Sequence, residues 1–419
     1  MTASLRAARL ILACGLLAST NVLAATHFIV TVDNASGIAR GSETIVIPYS
    51  EVKARLPDVL FDQILVRDKK GRAIPSQVTS FVHSHKGPQQ YDDLIFQHDF
   101  VAGEKSARFT VEASAKAIAP YPNKVYLRHV PERYDDFAWE NDRVAHRIYG
   151  PGLELSSAGK DQMTSSGIDI WTKKVRYPIV DHWYRKGHDG LHTDTGEGLD
   201  MYEVGMNRGA GGTGIWNGEK LATSKNWRTW KILANGPIRG IFELQYDAWD
   251  AGNDVMVTET KRFTVDAGHN FDAVESTFRF AITPPSANNT LTAAIGLSLH
   301  TTIATVTPTR NESTRAITVW EEYRNTEDGK LGTAVVLAPN ASFAGFAELA
   351  ANPAVPRLVR PDLLVLASVS SDQTLRYYIG GGWDKSGEFA TQADWDRYVM
   401  AFAKRIATPV SITLSAAVK

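Results

Sequence analysis

The chain has 419 residues, 43% hydrophobic and 22% charged, with 45 Lys and Arg against 46 Asp and Glu. That composition excludes a disordered chain, and the length holds two ordinary domains or one large β architecture. A net charge of −1 without a long basic run excludes nucleic acid as a partner, because phosphate binding needs a concentrated cationic surface.

The first element reads as an export signal. Arg6 and Arg9 precede the apolar run Leu10 to Leu17, and Val22-Leu23-Ala24 supplies the cleavage site. Cleavage after Ala24 removes both arginines and takes the net charge from −1 to −3. The run is too short for a membrane anchor, and no later segment has the apolar length of a span. A lipoprotein site at Ile11-Leu12-Ala13-Cys14 would leave almost no apolar region ahead of the cysteine. A periplasmic protein with a cleaved signal, residues 1–24, is therefore expected. Cys14 is the single cysteine and departs with the signal, so the mature chain has neither disulfide nor thiol nucleophile.

Short β-rich runs follow, punctuated by Gly, Asn, Asp and Pro. They begin with "HFIVTVDN" at residue 27, "ETIVIPYS" at 43, "QILVRDKKG" at 63, "ARFTVEAS" at 107 and "KVYLRHV" at 124. They continue with "GIFELQYDAW" at 240, "VMVTETKRFTVDAG" at 255, "AVESTFRFAI" at 273, "GTAVVLAP" at 332, "LLVLASVSS" at 363 and "LRYYIGGGW" at 375. Helix signals are scarce. Tyr49 to Leu56 is stopped by Pro57, and Thr391 to Ile406 is capped by Thr391 with Trp395, Tyr398, Val399, Phe402 and Ile406 near one face. The expectation is an all-β fold, a large β-sandwich with a few short helices, one near the C-terminus. Residues 25–120 form an N-terminal sheet region and 121–419 the main one, with a Ser- and Gly-rich loop from Gly152 to Gly167.

Three stretches carry candidate chemistry. In "PERYDDFAWENDRVAHRIYGP", residues 131–151, a period-two reading gives no cleanly apolar side. That suits a strand lining a polar cleft, or a surface strand of paired ions. "HWYRKGHDGLHTDTGEGLDMYEVGMNRGAGGTGIW", residues 182–216, holds His182, His188 and His192 among acids, Tyr202 and many glycines. Histidine moves protons near neutral pH, and glycine lets backbone approach a ligand. A flexible loop or a structural metal site are the rival readings. His188 and His192 are four apart, but Gly190 between them argues against a zinc-binding helix. In "RYYIGGGWDKSGEF", residues 376–389, Trp383 is either a stacking rim for a sugar ring or a core residue of a glycine-rich hairpin. His300 at a strand end is a minor candidate. There is no Gly-x-Ser-x-Gly elbow, no His-Glu-x-x-His, and no nucleotide fingerprint around Gly209, Gly211 and Gly212.

The motifs "VPERYDDFAWENDRVAHRIYGP", "GEGLDMYEVGMNRGAGGTGIW", "ILANGPIRGIFELQY" and "GGWDKSGEF…DWDRYVMAFAKR" resemble a family of exported bacterial proteins catalogued as a domain of unknown function and found with polysaccharide-degrading enzymes. The resemblance covers nearly the whole mature chain. That family is similar to galactose-mutarotase-like supersandwich proteins, an architecture shared with several polysaccharide lyases, and to the ulvan oligosaccharide dehydratases. The resemblance implies a carbohydrate-active protein.

Eliminating across C4–C5 of a uronic acid needs a base for the C5 proton, a group neutralising the carboxylate, and an acid for the leaving oxygen. On that requirement His192 is expected as base and Tyr202 as acid, with Arg133, Asn141, Arg147 and Arg208 on the carboxylate. Trp139 would stack on the ring, Trp383 would rim the site, and Glu140 and Asp200 would orient groups or bind hydroxyls. The expected partner is an acidic oligosaccharide; no cofactor is assigned, and a divalent metal is left open. The alternatives are a glycoside hydrolase using Glu140, Asp142 or Asp200, a binding protein using Trp139 and Trp383, and a mutarotase or epimerase.

Overall fold

The computed structural model describes residues 26–82, 89–282, 289–352, 354 and 360–418, without the side chains of His188 and Asp189. The export signal, its alternative lipoprotein site and Cys14 lie outside the described residues. Near the N-terminus two sheets face each other. One has five strands, with His27–Asp33 between Ser106–Ala113 and Ser411–Leu414. The other has Arg40–Pro48, Asp93–Phe100 and Ser76–Val78. Strict alternation puts Phe28, Val30 and Val32 inside against Ile45, Ile47, Phe96 and Val111. Helix Tyr49–Arg55 closes this core through Val52 and stops at Leu56, because the following Pro57 disfavours helical geometry in the residue before it. The strand Ser411–Leu414 returns from the far end of the chain, so this region is completed by the C-terminus.

The larger part is antiparallel throughout its strand ladders. An eight-stranded sheet runs in the order Thr229–Asn235, Arg239–Asp250, Met256–Asp266, Phe271–Phe280, Thr374–Trp383, Lys330–Leu337, Ala316–Tyr323, Ala304–Asn311. A five-stranded sheet, Leu221–Ala222, Ala210–Trp216, Thr290–Ser298, Asp362–Ser370 and Ser342–Leu349, packs against it. A second five-stranded sheet, Gly198–Leu199, Ile168–Lys173, Val144–Ile148, Asp136–Glu140 and Tyr126–Val130, joins the same core. Phe137, Trp139, Phe242, Phe263, Ile295, Val335 and Val365 belong to that continuous core, with Phe242 and Phe263 stacked 4.6 Å apart. The fold is an all-β sandwich, with four short helices among the described residues.

Two glycine-rich segments are strands: Ala210–Trp216, for which a flexible loop was a rival reading, and Thr374–Trp383, which follows its expected β run. Ala210–Trp216 is buried, and Gly211 holds φ +114°, where a Cβ would stand 2.2 Å from Ile379 Cγ2. In Thr374–Trp383, a Cβ on Gly381 would stand 2.1 Å from Ile170 Cδ1, and one on Gly382 2.5 Å from the Phe389 ring. Helix Gln392–Ala407 lies on this face. Thr391 and Asp394 form a reciprocal cap at its start, and Trp395, Val399 and Phe402 bury its inner side. The same packing corrects one sugar-binding expectation. Trp383 is 2% exposed and donates its indole N–H to the Asp328 carbonyl at 2.8 Å, so no ring face remains for a sugar.

Gly381→Ala overpacks this junction and is expected to cost about 1–3 kcal/mol, read as a lower urea midpoint. Gly41→Ala, with open space around the added methyl, is expected to stay within about 0.5 kcal/mol of wild type. Equal effects would mean that glycine spacing does not set this packing.

Candidate functional site

The hairpin Asp136–Glu140 and Val144–Ile148 keeps its period-two pattern, yet all ten residues are buried. One side, Phe137, Trp139, His146 and Ile148, enters or abuts the main core. The other, with Asp136, Glu140 and Arg147, lies beneath helix Val180–Arg185, whose Trp183 stacks on Trp171 at 5.7 Å. A polar strand was therefore legible, but a sheet edge open to solvent was not what it meant.

Several expected ligands are consequently structural. Trp139 is fully buried, stacked on His146 at 5.2 Å, and donates its N–H to Asp272 Oδ2 at 2.8 Å. It cannot meet a sugar ring. Asp272 is pushed up to about 7 by burial, opposed by the Trp139 hydrogen bond, and His146 is pushed down to about 3 by burial. With Nδ1 3.3 Å from that carboxyl, the two are best described as a neutral pair, because neither charge has enough partners to repay its desolvation. Glu140 accepts from Lys173 Nζ at 2.5 Å and from the backbone N–H groups of Ile179 and Val180, which fixes the start of helix Val180–Arg185. Asn141 donates to the carbonyls of Asp266 and His269 while its own oxygen accepts from the backbone N–H groups of Arg143 and Val144. Asp142 is held by Gly268 N–H at 2.6 Å. Arg208 is buried against Ser166, Thr213 and Met206, with its backbone N–H on Asp362. None of these lines an opening that a sugar could enter.

Five other expected residues do share one. Arg133, Arg147, His192, Asp200 and Tyr202 line a cleft of about 940 Å³ together with Tyr149, Glu203, Tyr323, Arg324 and Arg360. Its centre is Arg147. One guanidinium nitrogen reaches Asp169 Oδ2 at 2.5 Å and Asp200 Oδ2 at 3.1 Å, and Nε lies 3.9 Å from Asp136 Oδ2. Three buried carboxyls around one cation would leave two net negative charges, so protons are retained. Burial pushes up Asp136, to about 6, as well as Asp169 and, further, Asp200, with Arg147 opposing in each case. Asp169 also accepts from the Trp171 indole and the Ile170 N–H, so the ionised form is best solvated there and the proton falls to the other two.

His192 ends helix Gly187–Leu191. That helix forms despite Gly190, contrary to the sequence expectation, because buried Leu191 ties it to the fold and Asp200 N–H donates to the Leu191 carbonyl. The Nδ1 of His192 lies 2.6 Å from the Asp200 carbonyl oxygen. A carbonyl only accepts, so Nδ1 carries the hydrogen and Nε2 is the basic nitrogen. The imidazole is 40% exposed. Tyr202 is placed differently from its expected role: its hydroxyl donates to the Ser298 carbonyl at 3.4 Å and its ring edge rests on His300. A second phenol lining the cleft is Tyr149, whose pKa burial pushes up. Its hydroxyl makes no hydrogen bond to a described residue, and the Arg147 guanidinium lies 5.4 Å from its ring centre. Tyr149 is not among the expected site residues; the signal for it is its place directly after the strand carrying Arg147.

The turn itself aims Arg133. Tyr134 and Asp135 both take left-handed φ, 53° and 63°, unusual for non-glycine residues. Gly150 lies beneath, where a Cβ would be 2.0 Å from the Asp135 carbonyl oxygen. Arg133 has no ion-pair partner among the described residues, and its Nη1, shielded from water, makes no hydrogen bond to one. Arg360 is paired with Glu203, whereas Arg324 has no ion pair among the described residues. No group of three or more His, Cys, Asp or Glu side chains in a metal-holding arrangement occurs among the described residues. Where the three aspartates converge, the Arg147 guanidinium already occupies the cation position.

The molecule is thus a multi-sheet antiparallel sandwich with a cleft built around one arginine. The chain belongs to the family described as domain of unknown function (DUF4861), matched over residues 32–412. It is 32% identical over 394 residues to "Uncharacterized protein P7" of Formosa agariphila, covering 93% of each chain. Among solved structures, an alpha-mannosidase from Enterococcus faecalis V583 and a glycosyl hydrolase family 38 protein from Enterococcus faecalis each align at 11% identity with a TM-score of 0.46. Those alignments cover 93% of this chain but 46% and 47% of theirs, so this chain spans about half the length of either.

A carboxyl with a raised folded-state pKa stabilises below its unfolded value and loses that contribution as pH rises through the folded one. For Asp136 the window runs from about 4 to about 6. Asp136→Asn should therefore gain on wild type by roughly 1–3 kcal/mol between pH 4 and pH 8, measured by urea unfolding at each pH. A variant that loses ground over that range contradicts the shared-proton account.

Proposed function

We propose that the protein is a carbohydrate-active lyase or dehydratase that eliminates across C4–C5 of a uronic acid in an oligosaccharide. The observation that carries this reading is His192, with its tautomer set by the Asp200 carbonyl, in the same cleft as the unpaired guanidinium of Arg133. Arg133 neutralises the substrate carboxylate, which makes the C5 proton acidic enough to remove. Nε2 of His192 takes that proton, and the C5–H electron pair becomes the C4–C5 double bond. The C4–O bond breaks with its pair on oxygen, and the Tyr149 hydroxyl protonates the leaving group. The product is a 4,5-unsaturated uronate, with either water or a sugar as the departing species. Proton exchange with water restores imidazole and phenol.

A hydrolase reading requires two carboxyls across the bond. Of the three expected carboxyls, Glu140 and Asp142 are committed to Lys173, helix Val180–Arg185 and Gly268, which leaves Asp200, itself tied to Arg147; Asp161, Asp328 and Glu203, the last paired with Arg360, also line the cleft. A binding protein reading relied on Trp139 and Trp383, and both are buried. These placements favour elimination over either.

Incubation with a panel of uronate oligosaccharides should produce the ultraviolet absorbance of the conjugated product. His192→Ala and Tyr149→Phe should each lower the rate by about 10²–10⁴-fold with circular dichroism unchanged, while Tyr202→Phe keeps most of it. Saturated sugars released without absorbance would establish hydrolysis instead, and full activity in His192→Ala would remove the proposed base. Arg133→Ala should raise KM for uronate substrates, and an unchanged KM would exclude it as the carboxylate site.

A further inference from the structure

Beneath the cleft wall lies a histidine that the proposed chemistry does not use. His300 is fully buried at the end of strand Thr290–Ser298 and its following turn. Its Nε2 lies 2.8 Å from the Glu203 carbonyl oxygen, and its Nδ1 lies 3.0 Å from both oxygens of Glu321, which is also fully buried. A carbonyl only accepts, so Nε2 carries a hydrogen. Glu321 meanwhile accepts from the His300 backbone N–H at 2.8 Å and from the Tyr323 hydroxyl at 3.3 Å. Nδ1 faces both oxygens of this acceptor-rich carboxyl, the arrangement of a hydrogen on that nitrogen as well. The ring is an imidazolium.

The charged and titratable groups facing it are Glu321 and Tyr323 from strand Ala316–Tyr323, Tyr202 from the wall segment, and Arg360. Burial pulls the ring's pKa down and Arg360 adds to that, but Glu321 and the Glu203 carbonyl outweigh both, and the net direction is up. The contact runs to the part of the cleft that matters. Segment 199–205 supplies Asp200, whose carbonyl orients His192 and whose carboxyl meets Arg147. Tyr202 presses its ring on His300 at 4.4 Å, the Glu203 carbonyl takes the imidazolium N–H, and Arg360 holds the Glu203 side chain.

A buried ion pair is a poor source of stability, since apolar replacements of similar volume often fold as well or better. Its retention under this segment needs another reason. We infer that His300, with Glu321, is a positioning residue: anchored on Glu321 through Nδ1, the ring uses its Nε2–H to pin the Glu203 carbonyl and so holds the wall that sets the tautomer and place of His192. In its catalytic consequence the inference rests on the reading under Proposed function, but its structural test does not.

The test uses wild type, His300→Gln and the double variant His300→Leu/Glu321→Leu. In wild type, nitrogen NMR of labelled histidine should show both ring nitrogens of His300 protonated at pH 8. One unprotonated nitrogen there would overturn the proposal. The double variant should fold with a thermal midpoint near wild type, while backbone amides within residues 199–205 exchange about tenfold faster or more. Unchanged exchange in that segment would overturn it. With a uronate substrate in hand, kcat should fall by up to about 10²-fold in the double variant with KM little altered, and His300→Gln, which keeps one donor, should recover part of it. If wild type turns over no uronate, the lyase reading fails, and the nitrogen shifts and amide exchange still decide the role of His300.

Discussion

The cleft depends on Arg147 and the three aspartates it gathers. Asp136 comes from the neighbouring strand, Asp169 from the next strand across, and Asp200 from the segment leading away from the sheet edge. One guanidinium therefore ties two ladder partners to the only non-ladder member of the set. Backbone pairing fixes Arg147 opposite Ala138 and Asp169, and the charge then draws in Asp200. Because Asp200 also orients His192 through its carbonyl, the electrostatics of the sheet are transmitted to the exposed imidazole.

Buried charge recurs in the same fold. Lys173 with Glu140, Lys261 with Glu259, and His300 with Glu321 are all nearly or wholly removed from water. Such pairs contribute little net stability, and the large aromatic core must carry that burden. What they do supply is a fixed geometry. Glu140 pins the start of helix Val180–Arg185, which covers the outer side of the hairpin, and His300 pins segment 199–205 from below. Helix and segment together bring His192 to the rim of the cleft.

The strand pattern was readable because alternation is a local property. "HFIVTVDN" and "VMVTETKRFTVDAG" became strands within a residue or two of their expected bounds, and Thr391 capped the C-terminal helix. Burial of the second face was not readable, since it depends on helix Val180–Arg185, distant in sequence from the hairpin it covers. For that reason Trp139, Glu140 and Asn141 looked like a cleft lining and are core, ion pair and turn. Arg133, Arg147, His192 and Asp200 line one cleft, and they stood out in the sequence because charge and imidazole are conspicuous in a β-rich chain. The choice between Tyr202 and Tyr149 turns on the hydrogen bond that commits the Tyr202 hydroxyl to the Ser298 carbonyl, which no spacing rule encodes. Likewise Gly211 lies in a stretch for which a flexible loop was a rival reading, though both it and Gly381 make room for an isoleucine from another strand.

The central claim is that one cleft holds a sugar carboxylate on Arg133 with the adjacent carbon facing His192. The most direct measurement is a crystal structure of His192→Ala grown with a saturating uronate disaccharide. The account predicts the carboxylate against the Arg133 guanidinium, with C5 and its hydrogen directed at the space left by the imidazole. A disaccharide bound at another surface, or one seated in the cleft with its carboxylate turned away from Arg133, would contradict it.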